Sequence, residues 1–317
     1  MKKKDWNYVK DRFRKIFYYI REGVEIGKKV PSYEEILADK EYSSKEYSSL
    51  IDRVNYYCKL DEPFQVSKKA SMVGSFKKTK SFTYFADLKK TVRHFPAHYE
   101  FDYIFGDVVD VPKIPSFVKS RPINDENNNS ILLKLNAIRH FRFYKDEYEF
   151  ESKKPLSVFR GMVYHKHRRD FVDLYFDSDF ADVGHNDEKL DFEPSYKGFM
   201  SVQNQLAYRY IVSIEGKDVA TNLKWIMASN SVCFMRKPRF ETWFMEGLLV
   251  PGVHYVELKD DFSDLKEKVC YYNDHTDEAL EIVRNANQYV KQFLLPKQEK
   301  IVEILVAKKY FELTLEQ

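Results

Sequence analysis

Two carboxylates in the first half of the chain are candidates for a general base. Asp107 and Asp110 follow the strand-like segment 103–105 and the turn residue Gly106. The carboxyl ends of strands border the ligand crevice in open α/β sheets, and a carboxylate there can accept a proton from a substrate hydroxyl. Asp is also common in turns and helix caps, so a structural role remains open for both residues.

A glycine turn in the second half could hold a phosphate group. The β-branched segment 210–214 predicts a strand, Gly216 and its neighbours predict a turn, and apolar residues at helical spacing predict a helix over 220–227. A second strand is predicted at 232–235, which completes a βαβ unit. A helix N-terminus there would present unpaired N–H groups and a positive dipole end. A structural turn is the alternative, since neither GxGxxG nor a P-loop motif occurs.

Arg160 lies at the end of another predicted strand, 156–161, directly before Gly161. The planar guanidinium group can contact a diphosphate with two parallel hydrogen bonds. A basic helix with His165 and His167 follows it. These histidines match no metal-ligand spacing, so a solvated helix face explains them better than a metal site.

The elements that must position these residues alternate between strand and helix in the second half, which predicts a parallel sheet covered on both faces. A charged, apolar-poor segment at 146–155 indicates a boundary between domains 1–150 and 151–317. Residues 177–194 are predicted to form an acidic loop and residues 253–258 a strand. Further helices are predicted over 131–143, 239–246, 260–272, 277–293 and 301–313.

Residues 1–22 predict a basic amphipathic helix with an apolar stripe that begins at Trp6. Lysines and arginines occupy the other positions, so residues 2–21 could lie on an anionic membrane surface. The alternative is that the stripe packs on the protein core. The segment contains no apolar h-region, so we do not expect a secretory signal.

Composition excludes several classes of protein. The chain has 317 residues, of which 44% are hydrophobic, and no segment has the roughly 20 apolar residues of a membrane span. Its three cysteines, Cys58, Cys233 and Cys270, are not clustered, which is typical of a reducing cytoplasm and argues against disulfides or a Cys-based metal site. A net charge of +3 is too small to indicate nucleic acid binding.

Several segments, taken in order, resemble glycosyltransferase family 90. This family includes bacterial lipopolysaccharide glycosyltransferases, fungal capsule enzymes and animal protein O-glucosyltransferases of the Rumi type. The resemblance is strongest over 156–293, and 106–123 looks most like the bacterial branch. The segments that carry it are FRG at 159–161, GKDVATNLKW at 216–225, ASNS at 228–231, PGVHYVELKDDFSDLKEKV at 251–269, ND at 273–274 and the helix at 279–286.

The resemblance implies a GT-B fold, in which two Rossmann-like α/β domains face each other across a cleft, with a C-terminal helix. The first domain would bind the acceptor and the second a UDP-sugar. Arg160 matches the arginine that contacts the donor diphosphate in the animal enzymes. Those enzymes have an arginine where this chain has Asn222, so the contact there must differ. The donor-binding loop matches Gly216, Lys217, Asp218, Val219, Ala220, Thr221 and Asn222.

The resemblance also implies an inverting, metal-independent reaction with no cofactor apart from the UDP-sugar co-substrate. The family's catalytic aspartate occurs in a D-x-x-x-V-P-K context, which Asp107 matches, and Asp110 is the alternative base. Glu241 or Glu246 is expected to bind the ribose hydroxyls, as acids often do at that stage of GT-B folds. Lys119 and Arg121 are expected to face the cleft and to contact an anionic acceptor.

We therefore expect a cytoplasmic enzyme, peripheral on the inner membrane, that transfers glucose or galactose to a lipopolysaccharide core or a related lipid-linked glycan. A protein or capsule acceptor, or an inactive sugar-binding homologue, are the alternatives. A kinase-like or phosphatase enzyme is disfavoured, because the chain lacks a P-loop, an HRD-type loop and a metal cluster.

Overall fold

The computed structural model describes Arg14 and residues 32–38, 44–79 and 81–315. The predicted amphipathic helix over 1–22 therefore lies outside the described residues, apart from Arg14. In the described ranges, no helix combines the length and the apolar character that a membrane crossing requires.

The described chain contains both helices and short strands, in the following order. The helices are α1 (Tyr33–Ala38), α2 (Ser44–Tyr57), α3 (Phe82–Val92), α4 (Ala137–His140), α5 (Lys166–Tyr175), α6 (Val202–Gln205), α7 (Leu223–Met227), α8 (Leu265–Asp274), α9 (Thr276–Lys291) and α10 (Pro296–Glu312). The strands are β1 (Ser71–Met72), β2 (Glu100–Phe101), β3 (Tyr103–Ile104), β4 (Ser116–Val118), β5 (Ser120–Pro122), β6 (Ser130–Leu132), β7 (Lys154–Gly161), β8 (Ala181–His185), β9 (Tyr208–Val212), β10 (Val232–Met235), β11 (Phe240–Thr242) and β12 (Val256–Glu257).

The chain forms two compact units. Unit 1 comprises Met1–Arg139 and Pro296–Gln317, and unit 2 comprises His140–Leu295. The predicted domains differ from these units in the position of the boundary and in the assignment of α10. Asp146, at the predicted boundary, forms an ion pair with Lys153 inside unit 2, 2.7 Å between Oδ2 and Nζ.

Unit 1 joins a small parallel sheet to helices from both ends of its sequence. Strands β3, β4 and β6 pair in parallel, and β1 pairs with β2 antiparallel. Helix α10 is buried along much of its length and contacts α2 and α3. Its Glu299 forms ion pairs with Arg53 of α2 at 2.6 Å and with Lys134 at 2.7 Å. These buried contacts explain why the terminal helix belongs to unit 1.

Unit 2 is built on a five-stranded parallel sheet with the order β8-β7-β9-β10-β12. In chain order this is 2-1-3-4-5, the doubly wound order, and its direction of winding reverses between β7 and β9. The apolar face of the sheet packs on α5, α8 and α9 through Phe159, Phe171 and Val269, among others. The predicted βαβ unit is confirmed, because β9 and β10 pair in parallel with Tyr210 opposite Val232.

Other helix and strand predictions had mixed outcomes. Strand β7 and helices α5, α8, α9 and α10 form where the sequence predicts them. The predicted helix over 131–143 is wrong, because its first residues form the buried strand β6 and only α4 is helical. The predicted loop over 177–194 contains strand β8.

The predicted helix over 239–246 is also wrong. Residues 240–242 form strand β11, Met245 has a left-handed backbone with φ 55°, and a short 3-10 helix follows. The Glu246 carboxylate accepts hydrogen bonds from the N–H and the hydroxyl of Thr242. The Tyr289 hydroxyl donates to the carbonyls of Phe244 and Met245. These side chains satisfy the groups that a helix would have paired internally.

Candidate functional site

The sheet of unit 2 predicts where a ligand should bind. In doubly wound sheets, ligands bind outside the carboxyl ends of the strands, where the strand order reverses. Here that point lies beyond the carboxyl ends of β7 and β9, and loop 213–222 leaves β9 there. Next to this point, on the β10 side, a small pocket that is partly open to solvent lies between this loop and the segment that follows β10. We call it the β9–β10 pocket; it is lined by Ser213, Glu215, Asp218, Val219, Ala220, Leu223, Met235, Arg236, Lys237, Pro238, Arg239, Phe240 and Glu246.

Loop 213–222 is closed at its base by Asn222. The Asn222 side chain donates to the carbonyl of Val212 at 3.3 Å and accepts from the Ser213 hydroxyl at 3.0 Å. Asn222 therefore fixes the two ends of the loop against each other. This contact stands at the position where the resemblance implies an arginine in the animal enzymes.

Helix α7, which follows the loop, begins at Leu223 and has only five residues. So short a helix has little macrodipole, and it does not form the extended N-terminus that the sequence predicts over 220–227. An anion in the β9–β10 pocket must therefore depend on side-chain cations and on the loop.

Helix α5, which lies in the connection between β7 and β8, contacts the first part of this loop. Arg168 donates to the carbonyls of Ile214 at 2.7 Å and Glu215 at 3.0 Å, and His167 lies 2.8 Å from the same Glu215 oxygen. The basic helix was expected to be a solvated face. Instead, two of its side chains fix the backbone at Glu215, which lines the pocket.

Three cations line the β9–β10 pocket directly after β10. Arg236 is buried, whereas Lys237 and Arg239 are exposed. The Glu215 carboxylate opposes them: its Oε1 accepts from Arg236 and, at 2.7 Å, from Arg239. Burial alone would raise the pKa of Glu215, but the charge of Arg236 and the hydrogen bonds from both arginines lower it below its usual value. Such a cluster of guanidinium groups in a concave site suits a phosphate-bearing ligand.

The predicted donor loop lies at this pocket only in part. Asp218, Val219 and Ala220 line it, whereas Gly216, Lys217, Thr221 and Asn222 are in the same loop but not among the lining residues. Sequence reasoning did not select the three cations. The signal was available, because RKPR at 236–239 directly follows a predicted strand, where the same carboxyl-end rule applies.

Arg160 lies at the end of β7 and is bound to the adjacent strand β8. Its Nη2 donates to Asp182 at 2.8 Å, and the side chain is 3% exposed. Tyr208 donates to the other oxygen of Asp182 at 2.6 Å. Burial alone would raise the pKa of Asp182, but hydrogen bonds from Tyr208 and Arg160 lower it. In this conformation Arg160 is thus paired within the sheet.

Two acidic residues near the pocket differ in their surroundings. Glu241 is 2% exposed and does not line the β9–β10 pocket. Glu246 does line it and forms a buried ion pair with Lys224, 2.5 Å between Oε1 and Nζ. Of the two, only Glu246 therefore presents its carboxylate to the pocket.

In unit 1, Asp107 is positioned by a glycine turn and a buried lysine. Gly106 has φ 111°, a conformation that favours glycine and turns the chain after β3. The Lys119 ammonium, 3% exposed, lies 2.5 Å from Oδ1 of Asp107, which is 41% exposed. The next residue, Val108, exchanges hydrogen bonds with the buried hydroxyl of Ser120. Asp107 thus presents a fixed, solvent-accessible carboxylate, whereas Asp110 is exposed without such support.

The two predicted acceptor-contacting cations have other partners. Arg121 is fully buried and donates to the backbone carbonyls of Tyr56, Tyr57 and Ser130. Lys119 is buried against Asp107. In this conformation neither side chain offers surface to an acceptor: Lys119 fixes Asp107, and Arg121 fixes the backbone at Tyr56, Tyr57 and Ser130.

The described residues contain no group of three or more His, Cys, Asp or Glu side chains arranged to hold a metal ion.

Comparison with known proteins gives consistent matches. The model of glycosyl transferase family 90 matches residues 134–305. O-glucosyltransferase LpsA of Dichelobacter nodosus is 46% identical over 266 residues, which is 84% of this chain and 84% of that protein.

More distant relatives match shorter segments. Protein O-glucosyltransferase 2 of Danio rerio is 32% identical over 88 residues, 28% of this chain and 17% of that protein. Protein O-glucosyltransferase 3 of Homo sapiens is 29% identical over 106 residues, 33% of this chain and 20% of that protein.

Proposed function

Because this chain belongs to glycosyltransferase family 90, we propose that it transfers a hexose from a UDP-sugar to a saccharide acceptor with inversion at the anomeric carbon. The observation that carries the donor assignment is the β9–β10 pocket, where Arg236, Lys237 and Arg239 meet loop 213–222. Glucose is the favoured hexose, since the 46% identical relative is called an O-glucosyltransferase, and galactose is the alternative.

In this proposal the donor's diphosphate binds to the cations that follow β10. The buried guanidinium of Arg236 and the exposed Arg239 and Lys237 would stabilise the negative charge that develops on UDP as it leaves. Removing one preorganised donor of this kind typically lowers the rate by roughly 10²–10³-fold. No metal ion or cofactor has a step here. Arg160 and the amides of 216–222 remain donor-binding candidates from the family resemblance.

The transfer is one in-line displacement. The acceptor hydroxyl oxygen attacks the anomeric carbon, the bond from that carbon to the diphosphate oxygen breaks, and UDP carries away the electron pair. The hydroxyl proton moves to Asp107. Lys119 holds Oδ1 of this carboxylate, so Oδ2 is the oxygen that would take the proton.

Three finer points belong to the same proposal. The GT-B arrangement implied by the family resemblance would place Asp107 and the donor in one cleft. The acceptor is a lipopolysaccharide core or a related lipid-linked glycan. The enzyme works in the cytoplasm, peripheral on the inner membrane, where such an acceptor would be presented.

The test is UDP release from UDP-glucose, UDP-galactose and UDP-xylose, each with and without candidate glycan acceptors and Mg²⁺. We expect acceptor-dependent release from one hexose donor that Mg²⁺ does not accelerate. An enzyme that binds UDP-sugars but never releases UDP with any glycan would instead be a sugar-binding homologue. Failure to bind any UDP-sugar would contradict the proposal as a whole.

A further inference from the structure

The Glu215 carboxylate lies between two arginines of the β9–β10 pocket. One oxygen, Oε1, accepts hydrogen bonds from both Arg236 and Arg239, and the side chain is 19% exposed. All three residues line the β9–β10 pocket. A carboxylate oxygen that accepts from two guanidinium groups is an anionic acceptor, as a phosphate oxygen is.

Glu215 is held there by its own backbone. Arg168 and His167 of α5 both contact its carbonyl oxygen, at 3.0 Å and 2.8 Å, and Arg168 also binds the carbonyl before it. Two mobile side chains on a surface would exchange such a contact with water at little cost. Here the loop is fixed and Arg236 is 8% exposed, so the pair is a built part of the pocket.

Arg236 is also fixed from its other side. Its Nη1 donates to the carbonyl of Asp260 at 3.1 Å, and its guanidinium lies 4.9 Å from the ring centroid of Phe262. Its Nε is buried and has no hydrogen-bond partner. The guanidinium therefore cannot swing away to meet a ligand elsewhere. Any anion that binds Arg236 must compete with Glu215.

We propose that Glu215 is a specificity-determining residue, which sets the negative charge that a ligand must carry to enter the β9–β10 pocket. The inference rests on the proposed function, since it assumes that the pocket takes a nucleotide. A ligand must displace the Glu215 carboxylate from the arginines, and the charge of this carboxylate repels the ligand's phosphoryl groups. A nucleoside diphosphate brings two phosphoryl groups to the three cations, whereas a monophosphate brings one and a nucleoside none. The cost of displacing Glu215 falls on every ligand, so only a ligand with enough contacts to the three cations should bind tightly.

Glu215→Gln tests this, because it removes the competing charge and keeps the side chain's size. We expect inorganic pyrophosphate and UDP to bind about three- to tenfold more tightly to the variant, as removal of an ion pair of about 1 kcal/mol predicts. UMP should gain by a similar factor, so a monophosphate should also bind tightly enough to be measured. The gain should shrink at high salt, where charge interactions are screened. Isothermal titration calorimetry with the full chain measures the affinity for each of the three ligands.

The matched control is Glu193→Gln. Glu193 is another carboxylate of unit 2 that pairs with an arginine, Arg169, but it does not line the pocket. The Glu193→Gln variant should bind all three ligands with wild-type affinity. If Glu215→Gln weakens UDP and uridine, Glu215 contacts the ribose and the inference is wrong. If it leaves pyrophosphate binding unchanged, the pair is structural and the inference is also wrong. If neither wild type nor variant binds UDP, the proposed function itself fails.

Discussion

The Lys119 ammonium lies 2.5 Å from Oδ1 of Asp107, and the two side chains differ sharply in exposure. The lysine is buried at 3% exposure, whereas the carboxylate is 41% exposed. A buried cation that fixes one oxygen of an accessible carboxylate leaves the other oxygen for a substrate. This pair is the main structural support for choosing Asp107 over the unsupported Asp110 as the general base.

Asp107→Asn should remove the base and retain the donor site. General base catalysis contributes roughly 10²–10⁴-fold, so hexose transfer should fall by about that factor. UDP binding should not change, because Asp107 does not line the β9–β10 pocket. UDP release with an active acceptor, compared with calorimetric UDP binding, measures both effects. Asp110→Asn is the matched control, and equal losses in the two variants would refute the assignment.

Asn222→Ala should loosen loop 213–222. It removes the hydrogen bonds to Val212 and Ser213, each worth about 0.5–1.5 kcal/mol, so the free energy of unfolding should fall by about 1–3 kcal/mol. UDP affinity should fall several-fold, because the loop no longer presents a fixed wall. Asn222→Asp keeps the oxygen that accepts from Ser213, so its stability and its UDP affinity should fall less than those of the alanine variant. An alanine variant with wild-type UDP affinity would show that the loop does not help to bind the donor.

Glu299→Gln tests the assignment of α10 to unit 1. The change leaves Arg53 and Lys134 without their buried counterion, and breaking a buried pair typically costs about 3–5 kcal/mol. Denaturant unfolding measures the loss. The exposed pair of Glu312 with Lys308 provides the control, and Glu312→Gln should cost less than about 1 kcal/mol. If the two variants lost the same free energy of unfolding, the buried ion pairs of Glu299 would not be what holds α10 in unit 1.

The Glu299 effect should depend on pH in a defined direction. Burial alone would raise its pKa, but the charges of Lys134 and Arg53 lower it below the usual value. A carboxyl with a lowered native pKa stabilises the fold fully above the unfolded pKa of roughly 4.3, and this contribution is lost as pH falls through the native pKa. The stability difference between wild type and Glu299→Gln should therefore be constant near neutral pH and shrink under acidic conditions. A difference that grows with acid would contradict the ion pairs.

The fold could be predicted from the sequence where a single pattern dominates. The β-branched segment before Gly216 and the periodic apolar residues of α9 predicted the observed strand and helix. Strand β6 was mistaken for a helix, because a short apolar run at 131–133 is compatible with either structure. Strand β8 was missed because Asp182, Gly184 and His185 have low strand propensity. Its pairing with β7 compensates for that.

Only the part of the site that lies within one continuous segment could be predicted from the sequence. Loop 213–222 was identified from its own glycine turn. Arg236 and Arg239 were missed, because they come from the end of the next strand and meet Glu215 only through the parallel pairing of β9 and β10. Arg121 was expected to face the cleft and to contact an acceptor. No local pattern reveals that its guanidinium binds three backbone carbonyls inside unit 1.

Calorimetric titration of UDP into wild type and Arg239→Gln tests the central claim most directly. Arg239 is 60% exposed, so its loss should not disturb the fold. Arg284→Gln, an exposed arginine on α9 that does not line the pocket, is the matched control. We predict that wild type and the control bind one UDP per chain with equal affinity, and that Arg239→Gln binds it about tenfold more weakly. Absence of UDP binding to wild type, or equal affinity in all three proteins, would contradict the account.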